Sequence, residues 1–212
     1  MASIGAFNGS SSILSNATPI QFRALTFKQQ NEVAITKTAS GRIIRSTAAT
    51  TLWQGTLELV NLTVADFKQI QGFIAKAKTS VNDFTIEMPE ISFRTATATI
   101  GNLTVSGNYG QGSSRAELTT SAGNISATAL KMGDVIKFSG HSKVYMCTED
   151  AITDSAGFAV NFEPALTSAV SNGETVAYDN VPFKVIMTND LQTYRYNVDG
   201  TVNYTMDVQE VI

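Results

Sequence analysis

The residues able to do chemistry are few. The chain has one histidine and one cysteine among 212 residues. His141 stands in a Gly140-His141-Ser142 turn, where it is expected to be solvated. A catalytic imidazole needs a nucleophile on one side and an orienting group on the other, and no such motif accompanies it. A metal site needs clustered Cys and His, which one of each cannot supply. Cys147 cannot form an internal disulfide, and its alternating context (Lys143-Val-Tyr-Met-Cys147) marks it as a packed strand thiol. Gly107, Gly110 and Gly112 form a loop, but no helix pattern or lysine follows to cradle a phosphate. Glu149-Asp150 sits in a turn without the oxygen-ligand spacing of a calcium loop. No catalytic, cofactor or metal residue is assigned, and the chain is not expected to be an enzyme.

Aromatic side chains leave binding open. Tyr145, Phe158 and Tyr178 could face outward from the middle of the chain and stack on a ligand such as a sugar, or could fill a small barrel core. Tyr194, Tyr196 and Tyr204 are candidate subunit-interface residues, because tyrosine is enriched where proteins meet.

The elements that must position these residues are mostly strands. Apolar residues make up 43% and charged residues only 16%, with Thr, Ser, Val and Asn filling the gap. β-branched side chains suit a pleated, half-buried surface. The net charge is −3 with no basic run, which argues against nucleic acid as a partner. No apolar stretch approaches the ~20 residues of a membrane span. Met1 to Leu14 lacks the basic start and apolar core of a secretion signal, so synthesis and folding in a reducing cytoplasm are expected.

Residues 1–18, rich in Ser, Asn and Gly, read as a flexible or partner-ordered arm. Short strands are expected over Arg23–Lys28, Glu32–Thr38 and Arg42–Arg45, with a turn at Ser40-Gly41. From Thr51 the alternation sharpens, with Trp53, Leu57 and Leu59 on one face. Thr63-Val-Ala-Asp66 is a capping-box variant opening a helix, Val64–Lys78, in which Phe67, Ile70, Ile74 and Ala77 line one face. Phe84–Met88 is a strand ended by Pro89. Residues 93–130 are small and polar, with alternating runs at Thr95–Ile100 and Leu103–Val105. Val135–Phe138 and Lys143–Thr148 form a hairpin, followed by strands at Phe158–Phe162 and Glu174–Tyr178. Val181–Met187 is the next strand. Leu191–Tyr196 and Thr201–Val211 close the chain as a hairpin around Asn197-Val-Asp-Gly200, whose three-residue loop pairs Tyr194 with Tyr204 and Tyr196 with Val202.

The fold expected is mainly β: an antiparallel sheet domain with one amphipathic helix, from residues 19–92 and 181–212, carrying an inserted small barrel over 93–180. Three sets of motifs make the outer halves resemble the distal tail protein family of long-tailed bacteriophages. They are Trp53-Gln-Gly-Thr-Leu-Glu-Leu59 before the helix, Asp83-Phe-Thr-Ile-Glu-Met-Pro89 after it, and Val181-Pro-Phe-Lys-Val185 downstream. Lys131-Met-Gly-Asp-Val-Ile-Lys-Phe138 and Ser142-Lys-Val-Tyr-Met146 look like the oligonucleotide/oligosaccharide-binding barrels inserted in some members.

The resemblance implies a structural virion protein at the distal end of the tail. Its expected form is a hexameric ring joining the tail tube protein to the baseplate hub or tail tip, with tail fibres as further partners. It implies no cofactor. Few charges and many short strands independently require that sheet edges find partners. The alternatives are a carbohydrate-binding β module of a surface or virion protein, and a tail-tube or tube-terminator protein.

Overall fold

The computed structural model describes residues 24–30, 33–47, 51–88, 91–122, 126–154, 157–189 and 191–212. The arm expected over 1–18, the start of the first strand at Arg23, Glu32 and the strand-ending Pro89 lie outside the described residues.

The first half contributes β1 (Ala24–Gln30), β2 (Val33–Lys37), β3 (Ile43–Thr47), β4 (Leu52–Leu62), helix α1 (Val64–Ala77) and β5 (Phe84–Ile86). Alternation decides β4: Trp53, Leu57 and Leu59 are buried, with Gln54, Thr56 and Glu58 on the other face. Leu62 is buried as well, which breaks the period. A bulge explains it, since Tyr204 pairs with Leu59 but Val202 pairs with Leu62, and Asn61 takes up a positive φ of 56°.

Thr63 caps α1 by accepting the Asp66 N–H at 3.2 Å. The Asp66 carboxylate accepts from the Thr63 hydroxyl at 2.7 Å, a local closure suited to its short side chain. Lys78, in the left-handed conformation, ends the helix by returning its N–H to Ile74. The apolar stripe Phe67, Ile70, Phe73, Ile74 and Ala77 is buried in one core with Trp53, Leu57 and Phe183. Each such large side chain removed from water stabilises by about 1.5–3 kcal/mol.

The chain then builds a second body. Its strands are β6 (Leu103–Ser106), β7 (Arg115–Thr120), β8 (Thr128–Leu130), β9 (Val135–Phe138), β10 (Tyr145–Cys147), β11 (Ala151–Ile152), β12 (Phe158–Glu163) and β13 (Thr175–Ala177). Six of these close into an antiparallel barrel in the order β10-β12-β7-β6-β13-β9, while β8 and β11 pair beside it. The oligonucleotide/oligosaccharide-binding barrel has five strands, so this barrel carries one more.

Thr95–Ile100, expected as an alternating run, is irregular. Side chains claim its polar groups: Thr95 gives its N–H and hydroxyl to buried Asp134, and the Arg94 guanidinium donates to the carbonyls of Ala98 and Ala129. Such local bonds compete with a ladder.

The last strands are β14 (Phe183–Met187), β15 (Tyr194–Tyr196) and β16 (Val202–Glu210). They return to the first body, whose sheet runs β1-β4-β16-β14-β5, with β15 on β16. The final hairpin pairs Tyr194 with Tyr204 and Tyr196 with Val202, the register expected of a three-residue loop. Gly200 sits at φ 81° and returns its N–H to Asn197. The segments entering and leaving the barrel meet, because Val181 donates to the Ser92 carbonyl at 2.9 Å and the Ser92 hydroxyl accepts from Met88 at 2.7 Å.

Candidate assembly surface

The hairpin of β2 and β3 pairs with no other strand among the described residues. Its turn has the same form as the one at Gly200: Gly41, at φ 85°, donates to Thr38, and Thr38 donates to Arg42. Residues opposite each other on antiparallel strands share a face. Ile35 faces Arg45 and Lys37 faces Ile43, so those four side chains lie on one surface. Ile35 is 67% exposed and Ile43 54%. The hairpin carries Lys37, Arg42 and Arg45 and no carboxylate, in a chain of net charge −3. An isolated two-stranded hairpin is marginal in water, and exposed isoleucines on it mark a contact surface. The sequence held the signal, Ile35-Thr-Lys37 followed by Arg42-Ile-Ile-Arg45, but as strand pattern only.

The sheet adds a second surface. β1 lies at its edge and pairs only with β4 among the described strands, leaving one side of a seven-residue strand open. Such an edge is a template for another chain.

The three candidate interface tyrosines separate. Tyr204 is buried, its hydroxyl donating to Gln192 Oε1, so it belongs to the core. Tyr194 is half-buried and packs edge-on against Phe67 with centroids 4.9 Å apart. Tyr196 is 63% exposed at the hairpin end and remains the one of the three with area to offer.

The barrel aromatics also separate. Tyr145 is fully enclosed and Phe158 only 6% exposed, so neither faces outward as a ligand-stacking residue would. Tyr178 is partly buried, with its hydroxyl bonded to the Gly101 carbonyl at 2.6 Å and Arg94 over its ring at 5.3 Å.

His141 corrects the sequence expectation of a solvated turn tip. It is 6% exposed. The turn is closed by its N–H to the Phe138 carbonyl, and the ring packs against Phe138 and Tyr145. Nδ1 bonds the Tyr145 hydroxyl at 2.7 Å and Nε2 bonds the Ser168 hydroxyl at 3.0 Å. The Tyr145 oxygen also reaches Thr167 Oγ1 at 3.1 Å and accepts the Thr167 N–H at 3.3 Å. A serine, an imidazole and a phenol thus form one chain. The phenol occupies the place where a catalytic triad puts a carboxylate. The chain pins Thr167 and Ser168 to the turn that carries His141.

His141→Ala orphans the buried Tyr145 hydroxyl on that side and opens a gap beside Phe138. We expect it to lower unfolding stability by about 1–3 kcal/mol in urea titration, with a shift below ~0.5 kcal/mol contradicting the pinning role.

Burial pushes the Cys147 thiol up to about 12, so it is protonated at neutral pH and a poor nucleophile. Among the described residues, no group of three or more His, Cys, Asp or Glu is placed to hold a metal ion. No helix among them is long and apolar enough to cross a membrane. A shallow groove of about 260 Å³ over Lys28, Gln54, Thr56 and Asp207 runs along the polar face of the sheet. A second, of about 250 Å³, lies by Arg115 and Glu117 on the barrel.

Residues 92–181 match the family model described as distal tail protein pb9, B domain. No curated protein matches the chain. The matched segment contains all six strands of the closed barrel, so the barrel is what resembles that family's B domain. The match supports a structural role in a phage tail.

Proposed function

We propose that this chain, with a distal tail protein B domain at its centre, is a ring-forming subunit of a phage tail. Six copies close through the sheet domain, residues 19–92 and 181–212, and join the tail tube to the baseplate hub or tail tip. The barrel, residues 93–180, is an inserted module carried outside the ring, where tail fibres are natural further partners. The subunit is made in the host cytoplasm and ends at the lower end of the virion's tail.

The family match over residues 92–181 carries this reading. Three features of the molecule support it. The barrel's strands fall between β5 and β14, two neighbours in one sheet. The basic, isoleucine-bearing face of the β2–β3 hairpin has no partner strand within the described chain. β1 has no second partner strand among the described residues, so a neighbouring copy can pair its sheet there.

The ring interface, on this reading, combines sheet edges with the hairpin, and Tyr196 lies at the rim. A sugar-binding role for the barrel has less behind it, since Tyr145 and Phe158 point inward.

Immunogold labelling of the encoding phage tests the reading. Antibody against the purified chain should place gold at the lower end of the tail. Gold spaced along the whole tube would make the chain a tube protein, gold at the head-proximal end a terminator, and unlabelled virions would remove the tail reading altogether.

A further inference from the structure

The barrel and the sheet domain are connected twice by chain, and two covalent crossings alone leave relative motion as the default. The contact between them is built otherwise. Glu210, near the end of β16, turns its carboxylate into the core. Oε2 accepts from Lys143 Nζ and from the Trp53 N–H at 3.3 Å, and Oε1 accepts the Val144 N–H at 2.8 Å. Trp53 belongs to β4 of the sheet, whereas Lys143 and Val144 belong to the barrel, beside β10. One carboxylate therefore bonds to both bodies. Both side chains of the ion pair are 0% exposed.

The surrounding contact is apolar and continuous. Val135 and Val144 of the barrel are buried in the same cluster as Trp53, Phe183 and Val185, with Met146 packed against it. Lys137, on β9, adds a bond from Nζ to the Pro182 carbonyl at 2.8 Å.

We infer that Glu210 and Lys143 form an interdomain latch that fixes the orientation of the barrel on the sheet domain. An apolar contact tolerates sliding, since one methyl group replaces another at little cost. A buried ion pair does not, because any shift leaves two charges without water or partner. Burial alone pushes Glu210 up and Lys143 down, and each is opposed by the other's charge, so neither group is comfortable without its partner. The pair specifies one register out of those the apolar surface would accept. The latch is a property of the single chain and does not rest on the ring; in a ring it would hold every barrel at the same angle.

Pulsed electron-spin distance measurement tests it. Nitroxide labels are placed on Lys68→Cys, on the exposed face of α1, and Thr119→Cys, on the exposed face of β7, with labelled protein diluted into unlabelled protein. The otherwise unaltered chain is expected to give one narrow distance. Glu210→Ala should lose the narrow maximum while amide NMR dispersion shows both bodies folded. The double substitution Lys143→Met with Glu210→Met leaves no unpaired buried charge, so it keeps the test valid should the single variant unfold, and it too should give a broad distribution. A distribution as narrow in the double variant as in the parent would overturn the latch, and so would a broad one in the parent.

Discussion

Replacing Ile35 and Ile43 together by aspartate is expected to leave the chain folded and to strand it as a monomer. The four side chains Ile35, Lys37, Ile43 and Arg45 share one hairpin face, and both isoleucines are more than half exposed. In the single chain, exposed substitutions of this kind change stability by no more than about 0.5 kcal/mol. In the proposed ring the same positions would be covered. Each isoleucine withdrawn from water contributes about 1.5–3 kcal/mol, and each copy in a ring repeats that contribution. Aspartate removes this term, adds a desolvation cost and neutralises the basic face. Mass photometry across concentrations should therefore find rings for the parent and single chains for the variant, with superimposable circular dichroism. Rings that persist in the variant would take the hairpin out of the interface and leave the sheet edges to carry it.

The largest loss of stability is expected within the barrel, from Phe138→Ala. Phe138 is fully enclosed and meets Tyr145, His141 and Phe162 with ring centroids between 5.5 and 5.8 Å. It sits where β9 is paired with both β10 and β13, so its gap cannot be filled by one neighbour moving alone. Truncating a buried phenylalanine costs about 3–5 kcal/mol, through lost transfer free energy and the cavity left behind. Denaturant unfolding followed by amide NMR should show the barrel signals lost first. Those of α1 and β4, in the other core, should persist to higher denaturant. A cost below ~1 kcal/mol would mean that the barrel core is looser than its aromatic contacts imply.

Strong local periods were legible in the residues. β4 and α1 follow from periods of two and three-to-four, and the loop at Gly200 determines the Tyr194–Tyr204 register because a shorter turn would split those rings between faces. β7 was not legible: its inward side chains, Ala116 and Leu118, are too few and too small to stand out in a Thr- and Ser-rich stretch. β8 and β11 are three and two residues long, below any readable period.

His141 misled because Gly140 and Ser142 mark a turn correctly while saying nothing about which way it folds. Its partners Tyr145 and Ser168, and Thr167 on the far side of the Tyr145 hydroxyl, are brought together only by the fold. Glu210 and Lys143 stand 67 residues apart, and each alone reads as an ordinary surface charge on a strand. The exposed face of the β2–β3 hairpin was visible as strands but not as a surface, since only the fold reveals that no other described strand pairs with it.

Native mass spectrometry of the purified 212-residue chain tests the central claim most directly. A closed ring at six times the 22.7 kDa chain mass is the result expected of a tail-ring subunit, with negative-stain images showing a central opening. A single species at the mass of one chain at every concentration would contradict it.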